Sequence, residues 1–122
     1  MAAEIFVTKR FEKEAKKYLK KFKSLKSELE QLINELSENT SKGTSLGNNA
    51  YKIRLASKSK GKGKSGGFRV ITYVVENIEN ENKEIITIVT LLSIYDKSET
   101  ENILPNEVHE MINIANKEIN EK

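Results

Sequence analysis

The side chains able to do chemistry in this chain are mainly cations and tyrosines. Cysteine is absent and His109 is the one histidine, which excludes a thiolate nucleophile, a cysteine-built zinc site, disulfide staples and a pair of histidines sharing acid–base work. The cations are unevenly placed. Residues 52–75 hold seven of them (Lys52, Arg54, Lys58, Lys60, Lys62, Lys64 and Arg69) and no acid, while residues 76–122 hold four basic and eleven acidic residues. A basic segment in a chain of net charge +3 points to a polyanion site, because local potential rather than net charge attracts a partner. The plain alternative is a solvated, lysine-rich loop.

Within that segment the spacing matters. Lys52 and Arg54 stand two apart in Tyr51-Lys52-Ile53-Arg54-Leu55, a strand pattern that projects both cations from one face and the three apolar residues from the other. Two cations so close disfavour each other's charge, which is what a lysine acting as general base requires. Arg69 stays protonated and offers a planar fork for phosphate oxygens. Tyr95, Asp96 and Lys97 follow the last strand: Tyr95 can stack on a base, and Lys97 can act as an acid or a phosphate clamp. The competing reading makes these residues ordinary surface cations and strand-end packing. His109, between Glu107 and Glu110 on the last helix, reads as an exposed helix residue.

The elements that must position these residues follow from periodicity. Residues 4–7 read as a first strand, and Thr8 as the cap of a helix with Phe11, Ala15, Tyr18, Leu19 and Phe22 at helical spacing. Ser24 reads as the cap of a second helix marked by Leu25, Leu29, Leu32, Ile33 and Leu36, so the two form a helical hairpin. Turn residues 39–43 end it. The period then changes to two: strands are expected over 51–56, 68–75 and 85–94, with a polar turn region over 76–83. Residues 57–67 form a Lys/Ser/Gly loop, and residues 85–94, apolar on both faces, are a central strand covered on both sides. Pro105, Val108, Met111, Ile112, Ala115 and Ile119 mark a C-terminal helix. The expected fold class is α+β, with the helices on one face of a small antiparallel sheet and Lys52 and Arg54 on the face away from the hairpin.

With 122 residues, the chain reads as one domain, residues 1–122. The opening Met1-Ala2-Ala3-Glu4-Ile5 lacks a basic and then apolar signal region, and the apolar stretch 85–94 is too short to span a bilayer, so a cytoplasmic protein with no membrane partner is expected.

Three segments resemble the RelE/ParE toxin superfamily, and its HigB-like branch in particular. Residues 47–55, Gly-Asn-Asn-Ala-Tyr-Lys-Ile-Arg-Leu, resemble the family's basic strand after the second helix. Residues 61–73, Gly-Lys-Gly-Lys-Ser-Gly-Gly-Phe-Arg-Val-Ile-Thr-Tyr, are similar to the glycine–lysine loop and strand of that branch. Residues 91–99, Leu-Leu-Ser-Ile-Tyr-Asp-Lys-Ser-Glu, are similar to its ending. The likeness covers residues 4–104 and departs near the C-terminus, where Ile103 stands in place of a tyrosine.

The resemblance implies a toxin of a type II toxin–antitoxin pair, an mRNA interferase that cuts mRNA on the ribosome and is blocked by a cognate antitoxin. It places Lys52, Arg54, Arg69, Tyr95 and Lys97 where such toxins carry substrate-binding or catalytic residues, with no cofactor and no metal. Cleavage of this kind needs the 2′-hydroxyl deprotonated, the phosphate's growing charge stabilised and the 5′-oxygen protonated. Lys58, Lys60, Lys62 and Lys64, with no aromatic among them, suit gripping RNA without reading bases. The rival readings are a gyrase inhibitor of the ParE branch and a toxin fold that only binds a partner.

Overall fold

The structure is a computed structural model and describes residues 3–61, 67–79, 81–99 and 103–120. Its elements run β1 (Glu4–Val7), α1 (Lys9–Lys21), α2 (Leu25–Glu38), β2 (Thr44–Gly47), β3 (Ala50–Leu55), β4 (Phe68–Glu79), β5 (Ile85–Asp96) and α3 (Pro105–Asn120). The five strands form one sheet in the order β1-β5-β4-β3-β2. The class is α+β as expected, but the sheet is mixed: β1 lies parallel to β5, whereas the other neighbours are antiparallel.

One face of the sheet carries the helical hairpin. Phe11, Ala15 and Tyr18 of α1 and Leu25, Leu29, Leu32 and Leu36 of α2 pack on Ile53, Phe68, Val70, Val74, Val89, Leu91 and Ile94. The opposite face carries α3, whose Val108, Met111, Ile112 and Ala115 pack on Ala50, Ile71, Leu92 and Tyr95. The expectation that all helices share one face is therefore corrected. The physical reason was already in β5: a strand apolar on both faces needs cover on both, and α3 is the cover that the hairpin cannot supply.

Local chemistry explains the element ends. Thr8 Oγ accepts from the Phe11 amide at 3.1 Å and donates to the Leu91 carbonyl at 2.9 Å, so one hydroxyl caps α1 and ties it to β5. Ser24 does not cap α2. Its backbone is already helical, and its hydroxyl meets Glu28 at 3.1 Å and the Ser59 hydroxyl at 2.8 Å, which joins the hairpin to the 57–61 loop. Strand β2 was not expected. All four of its residues are exposed, so no alternation of polarity marks it, and it pairs with β3 through a turn in which Asn48 and Asn49 both have positive φ. Strand β4 also runs on to Glu79, through the region expected to be a polar turn.

Strand β1 pairs only with Ile88–Leu91, which leaves residues 92–96 of β5 without a neighbouring strand on that side. Two side chains of α1 close this edge. Glu14 Oε1 accepts from the Ile94 amide at 3.3 Å and from Ser93 Oγ at 2.8 Å, and the Tyr18 hydroxyl accepts from the Asp96 amide at 3.2 Å. Among the described residues, no helix is long and apolar enough to cross a membrane.

Candidate active site

The register of the sheet brings the expected residues into one row. Arg54 of β3 lies opposite Arg69 of β4, which lies opposite Tyr95 of β5. Residues directly opposite share a face, so the three side chains project together on the face away from the helical hairpin. Lys52 belongs to the same face, one row along, opposite Ile71. Arg54 is exposed, Lys52 is half-buried, and Arg69 and Tyr95 are each only 4% exposed.

That burial changes what Arg69 and Tyr95 can do. Arg69 Nη1 donates to the Phe68 carbonyl at 3.2 Å, so in this conformation the guanidinium is not open to solvent, and a phosphate reaches it only after a local opening. Burial pushes the Tyr95 hydroxyl above its ordinary value, outweighing the lowering by the Arg69 charge. The phenol therefore stays protonated. Its hydroxyl has no hydrogen-bond partner among the described residues, and its ring lies against α3 rather than open for stacking.

Lys97 is half-buried, and its amide donates to the Gly67 carbonyl at 3.2 Å, joining the end of β5 to the start of β4. The residue type at 67 is fixed by a close approach to β3: a Cβ there would overlap the Leu55 carbonyl oxygen, which is backbone and cannot rotate away. Gly67→Ala is expected to destabilise the protein by about 1–3 kcal/mol through overpacking beside the row, read as a lower urea midpoint with unchanged slope.

The loop lysines divide. Lys58 is exposed and its amide donates to Glu28 at 2.8 Å. Lys60, expected to grip RNA, instead points inward: its ammonium pairs with Asp96 at 2.5 Å and lies 5.1 and 5.2 Å from the ring centroids of Phe22 and Phe68. A buried carboxylate and two ring faces hold the cation more favourably than solvent exposure on a loop. Lys62 and Lys64 lie outside the described residues. His109 is exposed and away from the row, its Nε2 3.1 Å from Asn48 Nδ2.

Two features were missed in the sequence. One is the Lys60–Asp96 pair, whose carboxylate also accepts from the Ser98 amide at 2.9 Å and hydroxyl at 2.7 Å. Burial alone would raise the Asp96 carboxyl, but the bonds from Lys60 and Ser98 and the Lys60 charge outweigh it and hold it below its ordinary value. The other is a groove of about 750 Å³ between α1 and the end of β5, with Tyr18 and Tyr95 in its lining. The Tyr18 hydroxyl donates to Glu99 at 3.0 Å. Burial first, with the bond to Glu99 and the charges of Glu99 and Asp96, pushes it up to about 12 against the lowering bond from the Asp96 amide. Neither feature has a periodic signal, because each joins residues that are distant in the chain.

Two guanidiniums and a protonated phenol beside a lysine are groups that hold a phosphodiester and stabilise charge that grows on it, once a local opening brings Arg69 to the surface. No curated protein matches the chain. The model of one protein family, described as the RelE toxin of the RelE/RelB toxin–antitoxin system, matches residues 3–122. With the match running over nearly the whole described fold, the chain belongs to the RelE toxin family.

Proposed function

We propose that this toxin is a ribosome-dependent mRNA endoribonuclease that works through its own side chains and is neutralised by a cognate antitoxin with an acidic or amphipathic binding segment. The observation that carries the reading is the Arg54–Arg69–Tyr95 row with Lys52 beside it, in a chain of the RelE family. The 2′-oxygen attacks phosphorus and the bond to the 5′-oxygen breaks, leaving a cyclic phosphate and a 5′-hydroxyl. Arg69 and Arg54 take the non-bridging oxygens, whose charge rises in the transition state. Lys52 is assigned the 2′ proton, Lys97 protonation of the leaving oxygen, and Tyr95 a hydrogen bond from its protonated hydroxyl.

Expression of the toxin without a partner, with growth and mRNA 5′ ends followed together, tests this. Growth arrest with new 5′ ends inside translated frames, both reversed by the antitoxin, is the expected result. Arrest with intact mRNA and stalled gyrase would replace this reading with inhibition of gyrase.

A further inference from the structure

We propose that the groove between α1 and the end of β5 is a track for single-stranded RNA, in which Arg10, Lys13 and Lys17 hold the sugar–phosphate backbone beside Tyr95. The proposal rests on the reading that the toxin acts on RNA, and it adds the surface along which the strand is held.

Helix α1, Lys-Arg-Phe-Glu-Lys-Glu-Ala-Lys-Lys-Tyr-Leu-Lys-Lys, carries seven basic and two acidic residues. Phe11, Ala15 and Tyr18 take its inner face. Arg10, Lys13 and Lys17 are three and four residues apart, so they follow one flank at intervals of about 4.5 and 6 Å along the axis. All three line the groove, which runs beside the edge of β5 that lacks a strand and that Glu14 and Tyr18 close. Tyr95, the end of the Arg54–Arg69–Tyr95 row, lines the same groove. Tyr95 is thus common to the groove and the row.

The acids of the groove are already engaged. Glu14 is held by the Ile94 amide and the Ser93 hydroxyl, and Glu99 by the Tyr18 hydroxyl. Their ion pairs with Arg10 at 3.4 Å and Lys17 at 3.9 Å are partly to well exposed and weak, so Arg10, and Lys17 from its place over the Tyr18 ring, can turn to a phosphate. Lys13 has no ion-pair partner among the described residues. The rings of Tyr18 and Tyr95 are 6% and 4% exposed, too buried to stack on a base. They form a floor beneath the cations. Cations over such a floor hold a backbone without selecting its sequence.

The test uses the full chain and a fluorescent 2′-O-methyl oligonucleotide, which cannot be cut, read by anisotropy over a salt series. Lys13→Gln with Lys17→Gln is expected to weaken binding about tenfold at low salt. It should also lower the log–log salt slope by about 1.4, two contacts at ~0.7 each for a single strand. The pair Lys26→Gln with Lys117→Gln removes the same charge from exposed sites outside the groove and is expected to change affinity less than twofold. Equal losses for the two pairs, or no binding by the parent, would overturn the track. So would poly-glutamate displacing the oligonucleotide at equal charge concentration, which would make the groove a seat for an acidic protein segment. The readout is binding, so a toxin that holds RNA here yet cuts no mRNA would refute the nuclease reading and leave the track standing.

Discussion

Replacing Arg69 by alanine is expected to slow mRNA cleavage in a translating extract by roughly 100- to 1,000-fold, about 3–4 kcal/mol of transition-state stabilisation, while ribosome and antitoxin binding persist. The arginine sits in the middle of the row, between Arg54 and Tyr95, where a planar fork can follow two oxygens of a phosphate as their charge grows. An interaction that strengthens only in the transition state affects turnover rather than docking. Because Arg69 is 4% exposed, truncation also removes packing, so the measurement needs a second variant. Arg69→Lys keeps the charge and most of the stem but loses the fork. It is expected to melt near the parent and still cut at least tenfold more slowly. Primer extension gives the rates and thermal melting gives the control. An Arg69→Ala protein that cuts as fast as the parent would move the active site elsewhere on the molecule.

The second large effect is on stability. Asp96→Ala leaves the Lys60 ammonium enclosed without its carboxylate, and breaking a buried pair in this way costs about 3–5 kcal/mol. Removing both charges is expected to recover most of that loss: Lys60→Met fills the space between the Phe22 and Phe68 rings, and Asp96→Asn keeps an acceptor for Ser98. Urea midpoints of the single and double variants decide it. The pH dependence has a definite sign. Asp96 is held below its ordinary value of 3.8, so the native state binds the proton less readily than the unfolded chain. Its stabilisation is present in full above the ordinary value and is lost as pH falls below it through the folded value. The double variant should lose less stability than the parent over that acid range.

What the sequence disclosed and what it concealed follow from the range of the interactions. Lys52 and Arg54 could be assigned to one face because a strand's period of two is local, and the structure puts them opposite the face of Ile53. Strands β3, β4 and β5, helix α1 and its Thr8 cap were legible for the same reason. The direction of Lys60 was not: its Lys-Ser-Lys-Gly surroundings read as a solvated loop, and only Phe22, Phe68 and Asp96, from three other segments, turn it inward. Ser24 was read as a cap because its type suits one, but Ser59 competes for its hydroxyl. The second face of the sheet was implied by β5, yet nothing in the amphipathic pattern of α3 says which face it will cover.

The strand order β1-β5-β4-β3-β2 also bears on how the toxin comes into being during synthesis. The first strand finds its partner only when residues 88–91 exist, more than eighty residues later, and α3 cannot dock until the row's last member, Tyr95, is in place. A chain made from its N-terminus can form its helical hairpin early, but the sheet closes around β5 only when the final third emerges. Such long-range pairing makes folding slow relative to helix formation. The assembled basic face thus arises late, after β5 and α3 have emerged.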